Sequence, residues 1–570
     1  MSRAWPRLGV PALLMSDASL GVTNPGYREG DTATALNCNE TNRHWLDAII
    51  DPAAHRESDL LAFQIAIERA QPGSVMTGYN KVNGDYAGGN SILIQDVLKG
   101  AWGYRGWVMS AWGATPSWEF ALKGLDQESG LQIDVMMWGG EAFTAPLRAA
   151  CEEGKLPRER LSEMVRRILR SIYAVGADGW GGLAPEVDMA AYHQIALETA
   201  RQGIVLLKND GILPLAAGTT ARIAVIGGHA QVGVPTGTGS SAVTPPGGYA
   251  EVIKVGGPGI MGGGRNLYLL PSPPLAELRK LLPQAQLEFD PGMSPAEAAM
   301  LARRCDVAIV FGIRLEGEGF DNPDLSLPWG QDAVIEAVAA ANPNTIVVLE
   351  TGNPVAMPWH DHVNAIAEAW YPGQAGGQAI AEVLTGAANP SGHLPVTFPA
   401  DLAQTPRPEL PGLGMRWGTP TTIDYHEGAE VGYRWFASQH QNPRYAFGHG
   451  LSYTTFEYGD LAVEGGDTVT ASFTVTNTGQ RAGADVPQLY LTGAAGEERM
   501  RLLGFERVEL GPGQSRHVTV TADPRLLARY DSVHAHWHIA EGTYHVGLGR
   551  SASDIAATAQ TNLPARHFGS

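Results

Sequence analysis

Three apolar runs constrain this chain more than any other feature: Ile223-Ala224-Val225-Ile226-Gly227-Gly228, Val307-Ala308-Ile309-Val310-Phe311 and Thr345-Ile346-Val347-Val348-Leu349. Each is nearly free of polar residues, so neither face of the strand it forms is suited to water. That is the pattern of a parallel sheet covered by helices on both sides. Between the first two runs, Ser294 is placed to cap a helix, with Pro295 in its first turn. Glu297 completes a capping box ahead of an Ala/Leu/Met run. Residues 190–400 are therefore expected to form an α/β sandwich, and the Gly- and Pro-rich residues 232–267 an extended loop over it.

The flanking regions follow other periods. Across residues 1–180, short candidate strands at Ala12–Met15, Ser74–Met76 and Trp107–Met109 alternate with amphipathic helices. Leu161, Val165, Ile168, Leu169 and Ile172 recur at helical spacing and predict one buried stripe. This alternation is barrel material, yet a full (β/α)₈ barrel takes ~250 residues. Residues 401–455 read as a connecting segment. From about residue 456 the period is two: Val469, Ala471, Phe473 and Val475 alternate with polar residues before a turn at Asn477-Thr478-Gly479. Leu489–Leu491, Val518–Val520 and Tyr544–Val546 continue the rhythm, predicting a β-sandwich over 456–560 with immunoglobulin or fibronectin type III topology.

Bulk composition narrows the partners. A net charge of −19 argues against nucleic acid or an anionic membrane surface and leaves neutral sugars compatible. No apolar run reaches the ~18 residues of a spanning helix. Cys38, Cys151 and Cys305 are odd in number and widely spaced, so neither a disulfide framework nor a metal site is expected. The loop Gly237-Thr238-Gly239-Ser240-Ser241 lacks the Lys-Ser/Thr ending of a phosphate-cradling loop.

Two segments carry the candidate chemistry. Trp107–Met109 ends in Ser110-Ala111-Trp112-Gly113, at the end of a strand where a barrel presents catalytic side chains. Arg314-Leu315-Glu316-Gly317-Glu318-Gly319-Phe320-Asp321 leaves the strand Val307–Phe311 as a glycine-flexed acidic loop able to reach a neighbouring domain. Asp126 and Glu128 follow a further barrel strand and read as structural or subsite residues rather than a relocated nucleophile.

Gly106–Ala114 resembles the nucleophile strand of family-3 glycoside hydrolases, the β-glucosidase family, whose signature is Ser-Asp-Trp. The attacking Asp of that signature is here Ala111, whose methyl group can neither attack carbon nor carry charge. Other family-like strings are Arg7–Ala12 with Ser16–Val22, Gly73–Asn80, Val205–Asn209, Asn389–Pro395 and Phe447–Tyr453. The resemblance implies a shortened TIM-like (β/α) barrel, an α/β sandwich and a fibronectin type III-like domain. It implies Glu318 as acid/base, with Glu316 the nearest confusable carboxylate, and Asp17, Met76, Tyr79, Trp112 and Ser240 or Ser241 around the sugar.

By the same resemblance, the reaction is release of glucose from the non-reducing end of β-linked glucosides or oligosaccharides, with no metal or cofactor. A block of the family barrel has no counterpart: Gly30–Leu36 resembles the end of the first βα loop, while Asn37–Arg43 resembles a segment well past the third strand. The sugar-binding Arg and Lys-His pair between them are absent. The runner-up is a non-catalytic carbohydrate-binding or scaffold protein on a decayed hydrolase fold. An N-acetylglucosaminidase of the family fits less well, because the chain lacks its His loop. The resemblance implies a periplasmic or secreted protein, although the first residues have no signal-peptide layout. Linkage preference and homo-oligomerisation stay open.

Overall fold

The computed structural model describes residues 39–179, 187–257 and 264–569. Asp17 and the candidate strand Ala12–Met15 lie outside the described residues.

The barrel-side region opens with β1 (Leu46–Ile49), α1 (Pro52–Glu57) and α2 (Asp59–Ala70). Then come β2 (Ser74–Met76), the short strands β3 (Lys81–Val82) and β4 (Asp85–Tyr86), and β5 (Trp107–Met109). β2 and β5 pair in parallel, Met76 opposite Met109, and Met109 bridges in parallel to Gln127. A helix over Ile92–Ala101 separates the two strands, and α3 (Leu131–Trp138), α4 (Ala145–Glu152) and α5 (Arg158–Ala174) follow. Ile67, Ile94, Leu98, Val108 and Leu125 fill the space beneath this arc. Among the described residues the arc does not close into a barrel.

The expected stripe on α5 is only partly buried. Ile172 is enclosed together with Met164 and Ser171, but Leu161 is 37% and Val165 48% exposed. Helical spacing identified an apolar side, while the described elements cover only part of it.

The α/β sandwich has α6 (Met189–Gly203), β6 (Val205–Asn209), β7 (Arg222–Gly227), then β8 (Val234–Thr236), β9 (Glu251–Gly256) and β10 (Arg265–Leu270). It continues with α7 (Pro274–Leu281), β11 (Gln286–Asp290), α8 (Pro295–Arg303), β12 (Val307–Ile313), α9 (Gln331–Ala341), β13 (Thr345–Glu350), β14 (Ala365–Glu368) and α10 (Gly376–Thr385). Six strands form one sheet in the order β11-β7-β12-β13-β14-β6, all parallel except β6. Both faces are covered. Val225, Ile309, Phe311 and Val348 pack with Leu278 and Ile380 on one side. Ile226, Val310, Val347 and Leu349 pack with Leu301 and Val338 on the other. The Ser294 cap forms, its hydroxyl accepting from the Glu297 amide.

Residues 232–267 are not an extended loop. Their described part builds an antiparallel sheet, β8-β10-β9, in which Leu267 and Leu269 are buried with Ile313, Leu315 and Phe320. The density of Gly and Pro hid short strands. Residues 401–455 do more than connect: β15 (Thr421–Asp424) pairs in parallel with β1, which in turn pairs with β3.

The C-terminal region is all antiparallel. β16 (Phe456–Gly465), β17 (Val469–Asn477) and β22 (Ser515–Thr521) form one sheet. β20 (Glu497–Phe505), β19 (Gln488–Ala494), β25 (Gly542–Ser551) and β26 (Asp554–Leu563) form the other. β18 (Gly483–Asp485) pairs with β21 (Val508–Leu510), and β23 (Arg529–Asp531), β24 (His536–Ile539) and β27 (Arg566–Phe568) make a small outer sheet. On β17, burial alternates strictly, so Val469, Ala471, Phe473 and Val475 all point inward. This sandwich buttresses the barrel side. Leu61 of α2 joins its core, and Glu57 at the end of α1 meets Arg499, Arg501 and Arg529.

Candidate active site

β2 and β5 run side by side in the same direction, so the residues after them emerge at one end. Tyr79 follows β2 and Ala111 follows β5. The Tyr79 hydroxyl donates to Glu318 Oε1 at 3.4 Å. Ala111 is 1% exposed, with its carbonyl accepting from the Ala114 amide. Beside it, the Ser110 amide donates to the Gln127 carbonyl at 2.9 Å, which fixes the strand end. Trp112 is half-buried against Gly130, where any Cβ would collide with its ring, so this position requires glycine. Met76 ends β2 with an exposed side chain.

Glu318 arrives from the opposite side, on the loop leaving β12. Arg314 starts that loop by donating to the carbonyls of Pro354 and Asp324. The loop then pairs with the strand-like Thr238: the Thr238 amide donates to the Glu316 carbonyl at 3.0 Å, and the Glu318 amide donates back to the Thr238 carbonyl at 3.3 Å. The approach is close enough that a Cβ on Gly317 would strike Thr238. Gly239, at φ +77°, leaves room for the Glu318 side chain in the same way.

Three donors converge on the Glu318 carboxylate besides Tyr79. The Arg43 guanidinium reaches Oε1 at 2.8 Å, and the amide and hydroxyl of Ser240 reach Oε2 at 3.0 and 2.5 Å. Burial raises this carboxyl, but Arg43 and Ser240 outweigh burial and hold it below the usual carboxylate value. The Ser241 side chain lies outside what the structure describes.

Glu316 is a different kind of acid. It is buried away from the barrel side, takes a hydrogen bond from Asn353 at 2.7 Å and lies 3.4 Å from Arg314. Burial pushes its carboxyl up to about 7 despite Arg314. Geometry therefore separates the two carboxylates that sequence left adjacent. Asp126 and Glu128 are framework groups: Asp126 is ion-paired to Lys99 and Arg160 and accepts from the Val108 amide, and Glu128 accepts from the Ala142 and Phe143 amides.

Sequence reasoning missed the segment before β1. Arg43 lies over the Tyr79 ring at 3.8 Å and is also bound by Glu40 at 2.7 Å. His44 packs on Tyr79 with ring centres 4.7 Å apart, and burial pushes it down to about 3, so it is a neutral imidazole. Asp321 accepts from the amides of Glu40 and Thr41, and Glu40 accepts from the Gly319 amide, stitching the acidic loop to this segment. The available signal was the i,i+3 pair Glu40 and Arg43 within a string already noted as family-like. Among the described residues, no three or more His, Cys, Asp or Glu side chains converge to hold a metal ion.

Two loops, one from an α/β sheet and one from parallel strands, thus meet over a carboxylate held by cation and hydroxyl donors. The glycosyl hydrolase family 3 N-terminal domain profile matches residues 25–171, its C-terminal domain profile residues 204–453, and a fibronectin type III-like domain profile residues 485–552. The thermostable beta-glucosidase B of Acetivibrio thermocellus is 37% identical over 540 residues, covering 91% of this chain and 67% of that protein. The exo-alpha-(1->6)-L-arabinopyranosidase of Bifidobacterium breve is 33% identical over 569 residues, covering 95% and 70%. The structure of beta-glucosidase 3B from Thermotoga neapolitana in complex with glucose superposes with a TM-score of 0.83 at 30% identity, covering 94% of this chain and 77% of that one. The chain belongs to glycosyl hydrolase family 3.

Proposed function

We propose that this site is that of a retaining exo-β-glucosidase whose nucleophile position is occupied by Ala111, leaving the chain as written disarmed. The observation that carries the reading is Glu318: a carboxylate delivered from the α/β sheet to Tyr79, beside the end of the strand that presents Ala111. In the intact reaction, Asp at position 111 attacks the anomeric carbon while Glu318 protonates the leaving oxygen. Glu318 then deprotonates the water that releases the sugar with retained configuration. Tyr79 and Arg43 steady the site, and Asp17, Met76, Trp112, Ser240 and Ser241 are assigned to the sugar. Because relatives of similar identity include an arabinopyranosidase as well as β-glucosidases, the glucose preference rests on the majority of relatives.

The test is turnover of an aryl β-glucoside by the chain and by its Ala111→Asp variant. The chain is expected to be inert and the variant to hydrolyse with retention. Turnover by the unaltered chain at an ordinary rate of about 1–10³ s⁻¹ would overturn the reading and point to another carboxylate. One observation favours the second reading, a sugar-binding protein without turnover: Arg43 and Ser240 hold Glu318 ionised, the wrong state for a general acid. Sugar affinity unchanged by Ala111→Asp, with no hydrolysis, selects it.

A further inference from the structure

The outer sheet of the C-terminal sandwich carries chemistry that the glycosidase reading does not use. On β24, Trp537 and Ile539 point into the sandwich, while His536 and His538 lie on the outward face. β27 pairs antiparallel with β24 and sets His567 directly opposite His538, the two rings stacked with centres 4.5 Å apart at 13°. His567 is thereby one diagonal step from His536. Its Nδ1 lies 2.8 Å from His536 Nε2, with the ring planes near perpendicular at 78°. Asp531 is the register partner of His536 on the third strand, β23. It binds Nδ1 of His534 at 2.7 Å, and the His534 ring centre is 5.8 Å from that of His536.

We propose that His536 and His567 form a surface site for a borderline transition-metal dication such as Zn²⁺ or Ni²⁺, with water completing the coordination. Neutral imidazole nitrogen is a ligand suited to these ions. Bonds of about 2.0–2.1 Å to two nitrogens place those nitrogens roughly 2.9–3.4 Å apart for angles between square and tetrahedral. The observed 2.8 Å contact is a hydrogen bond, so binding an ion removes the shared proton from between the two nitrogens and opens the pair slightly, while two strands of one sheet hold the rings in place. His534 is the nearest further imidazole. Its bond to Asp531 is the carboxylate–histidine arrangement that orients metal ligands elsewhere. His538 is spent on stacking against His567 and is not a ligand. The cation opposite His538, Arg529, shares Glu57 and Glu430 with Arg499 and Arg501 and also meets Glu497, so its charge is offset only in part.

Calorimetric titration of the full chain, free of any affinity tag, with ZnCl₂ near neutral pH tests the site. One saturable equivalent is expected. His536→Gln and His567→Gln should each weaken it at least about tenfold, the scale on which even ligand-orienting groups act. His538→Gln should change it less than about threefold, since that side chain is not a ligand, and His534→Gln should fall between. Thermal midpoints of the variants, without metal, should match that of the parent because these side chains face outward. Absence of saturable zinc uptake by the unaltered chain overturns the site. So does a His536→Gln/His567→Gln double variant that keeps its affinity within threefold, which would place the ion elsewhere.

Discussion

The two sides of the candidate site are built to different standards of closure. The α/β side is a sheet whose every central strand is covered twice, with Val347, Val348 and Leu349 fully enclosed on β13. It delivers Glu318 on a loop tied down by backbone pairing to Thr238. The barrel side is an arc of parallel strands whose helices show apolar side chains to solvent: Val135 and Met136 on α3, Leu161 and Val165 on α5. An open sheet is complete with any number of strands provided its faces are covered, whereas a barrel buries its inner layers only when the ring closes. Among the described residues the barrel-side strands do not close into such a ring, while the α/β sheet is covered on both faces. The proposed chemistry divides the same way, with Glu318, the proposed acid/base, on the α/β side and Ala111, at the proposed nucleophile position, on the barrel side.

The sharpest way to break this comparison is chemical rescue. If only the nucleophile is missing, small anions should enter beside Ala111 and attack an activated β-glucoside, giving α-glucosyl azide with azide. Nucleophile deletions in hydrolases cost up to about 10⁶-fold in kcat, so even weak rescue stands far above background. We expect rescue well below full restoration, because Tyr79, Arg43 and Trp112 remain while the resemblance implies that another Arg and a Lys-His pair are missing. Product analysis by mass spectrometry and NMR checks it. Silence with azide, with formate and in Ala111→Asp would mean that the sugar is no longer held in line for attack, and the binding-protein reading would stand.

Why the two sides were unequally legible in the sequence follows from the same physics. The α/β strands announce themselves because burial on both faces forces unbroken apolar runs, as in Thr345–Leu349. β17 is equally plain, one face in and one out. The acidic loop was readable from Glu316 and Glu318, but which of them faces the site depends on Asn353 and Arg43, each far away in sequence. Arg43 went unassigned because its function exists only once Tyr79 and Glu318 are brought to it. β8–β10 were missed because short strands in a Gly-rich stretch carry little period, and β15 because its partner is β1, some 375 residues earlier by register of Leu46 with Thr421. The α5 stripe was read from spacing, which reports what an element can bury and not what is present to cover it.

A second prediction sharpens the contrast in packing. Leu349→Ala should destabilise the chain by about 2–5 kcal/mol, the cost of a large-to-small change in a closed core. Val165→Ser on α5 should stay within about 0.5 kcal/mol, as for surface positions generally. Urea unfolding midpoints compare the two. A Val165→Ser variant as damaged as Leu349→Ala would show that this face of α5 is covered in solution and the arc is not open.

The smallest expected effect separates the two glutamates by pH. Glu318 is depressed below the ordinary carboxylate value of 4.5 by Arg43 and Ser240 acting against burial. Its favourable interactions are therefore fully present above that value and fade as pH falls through the lower folded value. Glu316 is raised by burial to about 7, from an ordinary 4.5. Between these values the folded chain binds more protons than the unfolded one, so this group makes stability fall as pH rises through that window and level off above it. The shift corresponds to at most roughly 3 kcal/mol, at 1.36 kcal/mol per unit. Glu316→Gln keeps an acceptor for Asn353 but has no charge to bury. Thermal midpoints measured from pH 4.5 to 7.5 should therefore decline less steeply in Glu316→Gln than in the parent. Arg43→Met should leave that slope unchanged and soften the approach to low pH, because Glu318 is then held down by Ser240 alone. If Glu316→Gln and the parent decline in parallel, the loop that carries Glu318 is hydrated at Glu316, and the closed side is less closed than its packing indicates.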